Sequence, residues 1–255
     1  QKDLAAAKAA GTKPDENTIR TALQAAYEAK NLPASASLSA DLARYYPSPD
    51  SWYSAIGVVR QLAVYAPAEN VDLMRLMVRT GAMNEKRDYY EFLEDVDPRK
   101  QPGEALKVIE QGISAGKITA ADVKDYQQLA QGRLAADKAS LPNLDKDAHA
   151  PSTSATLVIA DGDAFLGYGQ AAKAEEIYKI ALTKPGVDAD RANLRAGIAE
   201  ADQGKYADAR ASFAKVTGKL APTAILWTAY VDTKAGGPAG APAGASNPPV
   251  SQPGG

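Results

Sequence analysis

The chain has no cysteine, a single histidine, few aromatics and no excess of charge of either sign. The missing cysteines exclude disulfides, thiolate zinc sites, iron–sulfur clusters and a cysteine nucleophile together. With His149 as the one histidine, a multi-histidine metal site is excluded and a histidine general base has one place to stand. No apolar run approaches the roughly 20 residues that span a bilayer, so no transmembrane segment is expected. A net charge of −2 lacks the basic surface that displaces phosphate counterions, which argues against a nucleic-acid partner. The P-loop, the dinucleotide-binding glycine motif, the serine nucleophile elbow and HExxH are absent too. Together these gaps point away from catalysis, and neither cofactor nor metal is expected.

What abounds is alanine, 52 of 255 residues. Alanine is the best helix former and lets helix backbones approach closely, so the composition favours many helices packed in pairs. Apolar residues recur at three and four, as in Val71, Met74, Met77 and Val78, or Leu106, Ile109 and Ile113. Ser48 before Pro49 reads as a helix start, and Thr119 with Asp122 as a near capping box. Gly81, Gly116, Gly186, Gly204 and Gly218 read as left-handed helix ends. Only Thr156 to Ala160 looks strand-like, and it is short. The expected fold is all-α, with thirteen short helices between 15 and 234.

The last 21 residues, Ala235 to Gly255, carry no charge and hold 6 glycines and 5 prolines. Such a segment forms neither helix nor core by itself. It reads as an extended tail, with Pro248, Pro249 and Val250 as its apolar contacts and a tether between neighbouring subunits as its sharper role. The other boundaries expected are an N-terminal segment to 14, helical repeats over 15–136, an irregular connector over 137–152, and a final repeat pair with capping helix over 153–234. Gln1 stands where an initiator Met would, and a cysteine-free chain suits an oxidising compartment. The expected location is therefore outside the cytoplasm: periplasmic, outer-membrane-associated or extracellular.

A shift of 35 residues takes Gly162, Phe165, Gly169, Ala174 and Tyr178 onto Gly197, Glu200, Gly204, Ala209 and Phe213. Four of the five pairs keep their chemistry: glycines for close approach and helix ends, alanines at crossings, aromatics filling space. Ala105 and Ile109 lie two repeats before Ala174 and Tyr178. This pattern resembles the tetratricopeptide repeat, and the N-terminal half is similar in style to exported repeat proteins of Gram-negative bacteria. The resemblance implies a right-handed α-solenoid of about six stacked hairpins, closed by a capping helix.

By the same resemblance, Arg191, Asn193 and Arg195 would clamp a partner's C-terminal carboxylate. Trp52, Tyr46 and Tyr90 are candidate contact residues, since neighbours on a helix lie about 100° apart and one member of each Tyr-Tyr pair must be partly exposed. The polar stretch Asn143 to His149 lacks the glycine and the acidic residue of a calcium loop and reads as solvated. The carboxylates Asp88, Glu91, Glu94, Asp95 and Asp97 are flanked by Lys86, Arg87, Arg99 and Lys100 and read as surface pairs, with acid–base hydrolysis the weakest hypothesis. The function expected is a non-catalytic scaffold or adaptor of the bacterial envelope that binds a protein partner. The alternative is a structural subunit of an envelope or extracellular assembly, self-associating through the tail.

Overall fold

Helix boundaries follow local chemistry. The Asp15 carboxylate accepts from the Thr18 amide at 2.9 Å, the Ser48 hydroxyl from Ser51 at 3.1 Å and the Asp188 carboxylate from Arg191 at 3.0 Å. Each satisfies an amide that has no partner inside the first turn. Gly81, Gly116, Gly169, Gly186 and Gly204 sit at φ from 66° to 75°, where a side chain would be strained.

A computed structural model describes residues 2–236 of the protein. The described residues form α1 (Lys2–Ala9), α2 (Glu16–Glu28), α3 (Leu32–Tyr45), α4 (Pro49–Ala63), α5 (Pro67–Thr80), α6 (Lys86–Val96) and α7 (Pro102–Ser114). There follow α8 (Lys124–His149), α9 (Ala155–Gly167), α10 (Ala171–Ala181), α11 (Ala189–Asp202), α12 (Tyr206–Phe213) and α13 (Ala221–Lys234). No strand occurs among them, and consecutive helices pack on one another. The fold is all-α.

The 35-residue repeat makes the same contact twice. A Cβ on Gly162 in α9 would lie 2.5 Å from the Tyr178 ring of α10, and one on Gly197 in α11 would lie 2.4 Å from the Phe213 ring of α12. Each aromatic therefore fills the glycine notch of its own hairpin, and Phe213 also lies 6.1 Å from Trp227 of α13. The mismatched pair has a reason as well. Phe165 is buried in the core, whereas Glu200 is buried as an acceptor for the Ser212 hydroxyl at 2.7 Å and the Lys179 ammonium at 3.0 Å.

One expectation needs correction. The segment 137–152 is irregular only at its end: α8 runs on to His149, and 150–152 lie outside it. Residues 137–141 contain no glycine or proline, and Pro142 removes one backbone donor without ending the helix. The C-terminal end closes back on the N-terminal helices. α13 returns to pack along α3 and touches α4 and α5.

That closure is built from specific contacts. The Trp227 indole N–H donates to the Asp72 carbonyl at 3.0 Å, and Trp227 meets Tyr230 edge-on at 5.6 Å. Tyr230 meets Trp52 of α4 in turn. Arg44 of α3 donates to Asp232 at 2.8 Å, and Arg210 of α12 donates to the same carboxylate at 2.6 Å. One apolar core consequently runs from α3 to α13, with a small satellite of Leu4, Ile19, Leu23 and Leu42 under the N-terminus.

A buried charge network crosses this core. Arg75 forks onto Glu104 at 2.8 and 2.7 Å and reaches Asp72 at 2.8 Å. Arg195 of α11 donates to Asp72 at 3.1 Å, to Asp163 at 2.5 Å and to the Ala68 carbonyl at 3.0 Å. Burial alone would lower the Arg75 pKa, but Glu104 and Asp72 outweigh it and hold the group well above its ordinary value. Burial pushes the Asp163 carboxyl up against the pull of Arg195 and Arg75, and Tyr178 donates to it at 2.7 Å.

Candidate functional site

A cleft of about 520 Å³ opens between α4, the α4–α5 turn, α5 and α6. One face of α4 supplies Tyr53, Gly57, Arg60 and Gln61, which recur at three and four. The opposite face carries the buried Trp52, Ile56 and Val59. Across the opening, α6 presents Arg87, Glu91 and Asp95, and α5 contributes Asn70 and Met77 between the two walls.

The polar side chains of the cleft hold one another in place. Arg60 pairs with Glu91 and donates from Nε to the Asn70 carboxamide oxygen at 3.2 Å. The Asn70 amide donates to Glu91 at 3.0 Å and to Asp95 at 2.6 Å. Arg87 reaches across the mouth to the Tyr53 hydroxyl at 2.7 Å. Burial raises the Asp95 pKa to about 6; the Asn70 hydrogen bond opposes this and the neighbouring Glu91 charge adds to it. The cleft thus sets an ion-paired carboxylate beside one that takes up a proton near neutral pH.

Val64 closes α4 on the rim. It sits in the left-handed region at φ 46° and is 81% exposed. A β-branched residue in that region is strained, and a large apolar side chain in water gains nothing to offset the strain. A second recess of about 350 Å³ lies between α5, α7, α9 and α11, with the buried Arg75–Glu104 pair beneath it and the Arg79–Asp202 pair beside it.

The residues expected to bind a partner do not converge. Arg195 is buried and committed to Asp72, Asp163 and Ala68. Asn193 is buried with its amide on the Ala189 carbonyl at 2.8 Å. Arg191 alone reaches the surface, 3.6 Å from Asp188. The three do not form an exposed clamp, because α11 turns the Asn193 and Arg195 positions into the core. Trp52 is 4% exposed and packs on Tyr230, so it is a core residue rather than a contact residue.

Tyr46 is half-buried, donating to the Pro14 carbonyl at 2.7 Å beneath the Lys13 ammonium. Tyr90 is half-buried against Tyr126, while its neighbour Tyr89 is buried against Gly112, as helical spacing requires. Both Tyr45 and Tyr46 are half-buried. Pro248, Pro249 and Val250 lie outside the described residues.

The acidic run on α6 divides its work. Asp88 caps the helix by accepting from the Asn84 and Glu85 amides, Asp97 pairs with Arg99, and Glu91 with Asp95 face the cleft. Sequence reasoning missed Tyr53, Arg60 and Asn70. The period of Tyr53, Gly57, Arg60 and Gln61 was the available signal, a polar stripe opposite an apolar one. Compared with protein-family models, curated proteins and solved structures, the chain matches none.

Proposed function

We propose that the protein is a non-catalytic scaffold or adaptor of the bacterial envelope, built on tetratricopeptide-like hairpins, that holds a partner's polar peptide segment in the α4–α6 cleft. The cleft carries the reading. Its walls offer donors from Arg60, Arg87 and Asn70, acceptors from Glu91 and Asp95, and the tyrosine ring of Tyr53, the mixture that pairs with an extended backbone and its side chains. The exposed, strained Val64 at the rim supplies an apolar contact that is used only when a partner covers it.

A photoreactive residue placed at position 64 of the full chain, with the same residue at exposed Leu157 as control, tests this reading. One partner should crosslink in near-equal amount from position 64 alone, and Tyr53→Ala should abolish that product. Equal crosslinking from both positions, or indifference to Tyr53→Ala, sinks the reading. The tail-tethered structural subunit differs in stoichiometry: such a chain repeats with its assembly, and deleting 236–255 weakens that assembly.

A second reading rests on the unequal carboxylates. Glu91 and Asp95 share Asn70, with Asp95 raised to about 6, an arrangement that suits acid–base hydrolysis. Under it, Asp95→Asn abolishes a hydrolytic turnover that the unsubstituted chain displays.

A further inference from the structure

The stretch from Asn143 to His149 forms the last turns of α8, so Asp145 and His149, four apart, share a face. That face meets Glu176 of α10. The donor atoms of Asp145, His149 and Glu176 lie within 4.8 Å of one another. His149 Nδ1 is 2.8 Å from the Asp145 backbone carbonyl, an acceptor that orients the ring and turns Nε2 toward Glu176. Nε2 stands 3.3 Å from a Glu176 carboxylate oxygen. For zinc–nitrogen and zinc–oxygen bonds of about 2.0–2.1 Å, the edge of a tetrahedron is about 3.3 Å, so this pair already has the spacing of two ligands on one ion.

A further observation concerns Asp145. Its Oδ1, on a side chain 36% exposed, lies 3.3 Å from the Lys173 ammonium as an ion pair and 3.6 Å from His149 Nδ1. Lys173 also holds Glu176 at 2.8 Å, so a single cation bridges the two carboxylates that flank the histidine. The Lys173 ammonium is the group that a metal ion at this position would displace.

We propose that Asp145, His149 and Glu176 bind a divalent transition ion of the zinc type, which displaces the Lys173 ammonium and takes water at its open position. One nitrogen and two carboxylates suit such an ion better than calcium or magnesium, which prefer all-oxygen shells. Closing Asp145 onto the ion takes no more than about 1.5 Å of side-chain movement from the present 4.8 Å envelope. The ion would fasten the end of α8 to α10, the junction between the N-terminal helices and the terminal repeat pair.

Isothermal titration of the untagged, metal-free full chain with zinc chloride tests this, with magnesium chloride as the competing control. One equivalent of zinc should bind and magnesium should not displace it. His149→Ala, at a half-exposed position whose loss leaves helicity intact, should weaken binding by about tenfold or more, since loss of even an outer partner of a ligand costs that much. Lys173→Met should tighten it by removing the competitor. No zinc uptake, uptake unchanged by His149→Ala, or affinity unchanged or weakened by Lys173→Met would each overturn the proposal.

Discussion

Replacing Gly197 by alanine isolates the contact on which the repeat rests. The new Cβ would stand 2.4, 2.7 and 3.0 Å from three ring carbons of Phe213, inside any distance real Cβ atoms adopt. The ring has nowhere to go. Phe213 is 2% exposed and lies 6.1 Å from Trp227, which is fully buried and fixed by its hydrogen bond to the Asp72 carbonyl. Overpacking of this kind costs about 1–3 kcal/mol. The gain in helix propensity from glycine to alanine offsets about 0.5–1 kcal/mol. The expected net loss is up to about 2.5 kcal/mol, or up to roughly 10 °C in Tm for a chain of this length. Gly132→Ala is the matched control: Gly132 sits in α8 with nothing within 4 Å of a built Cβ, and its substitution should raise stability by about 0.5–1 kcal/mol. Urea unfolding followed by circular dichroism measures both. Gly162→Ala should resemble Gly197→Ala, because Tyr178 is pinned at its far end by Asp163. A Gly197→Ala protein as stable as Gly132→Ala would refute the reasoning, since the notch would then be free to relax.

Arg195→Leu should cost about 3–5 kcal/mol by leaving Asp72 and Asp163 buried without that partner, whereas Arg191→Leu, on the surface, should change stability by less than about 1 kcal/mol in the same assay. Asp95 and Asp161 have pKa values raised by burial to about 6, from an ordinary 3.8. Between those values the folded chain binds more protons than the unfolded one, so stability should fall as pH rises from 5 to 7; denaturant midpoints at both pH values check this, and Asp161→Asn should flatten the slope. Trp227→Ala should cost about 3–5 kcal/mol, and hydrogen exchange should show protection lost in α5 as well as α13, whereas loss confined to α12 and α13 would mean that the closure carries no energy.

Local chemistry made most of the helices legible. Ser48–Pro49, the left-handed glycines and the three-and-four apolar period each act within a few residues, so their outcome does not depend on distant partners. The repeat spacing likewise anticipated that Gly162 and Gly197 would be close-approach points. Where local rules failed, they failed for want of a partner in view. A polar run from 137 to 149 looks like a loop until α9 and α10 pack beside it and α8 continues through Pro142.

Arg191, Asn193 and Arg195 share one helix, and their spacing alone says nothing about which side meets the core. Asp72, 123 residues from Arg195, decides that the guanidinium is buried rather than offered to a partner. The cleft divides in the same way. Its polar stripe on α4 was present in the order of residues, but Asn70 and Glu91 join Arg60 only because α5 packs on α4 and α6 on α5. The return of α13 to α3 belongs wholly to the tertiary structure. Nothing in the periodicity of either helix specifies its partner; that choice falls to shape and burial, through Trp227 seated at the Asp72 carbonyl and Arg44 reaching Asp232.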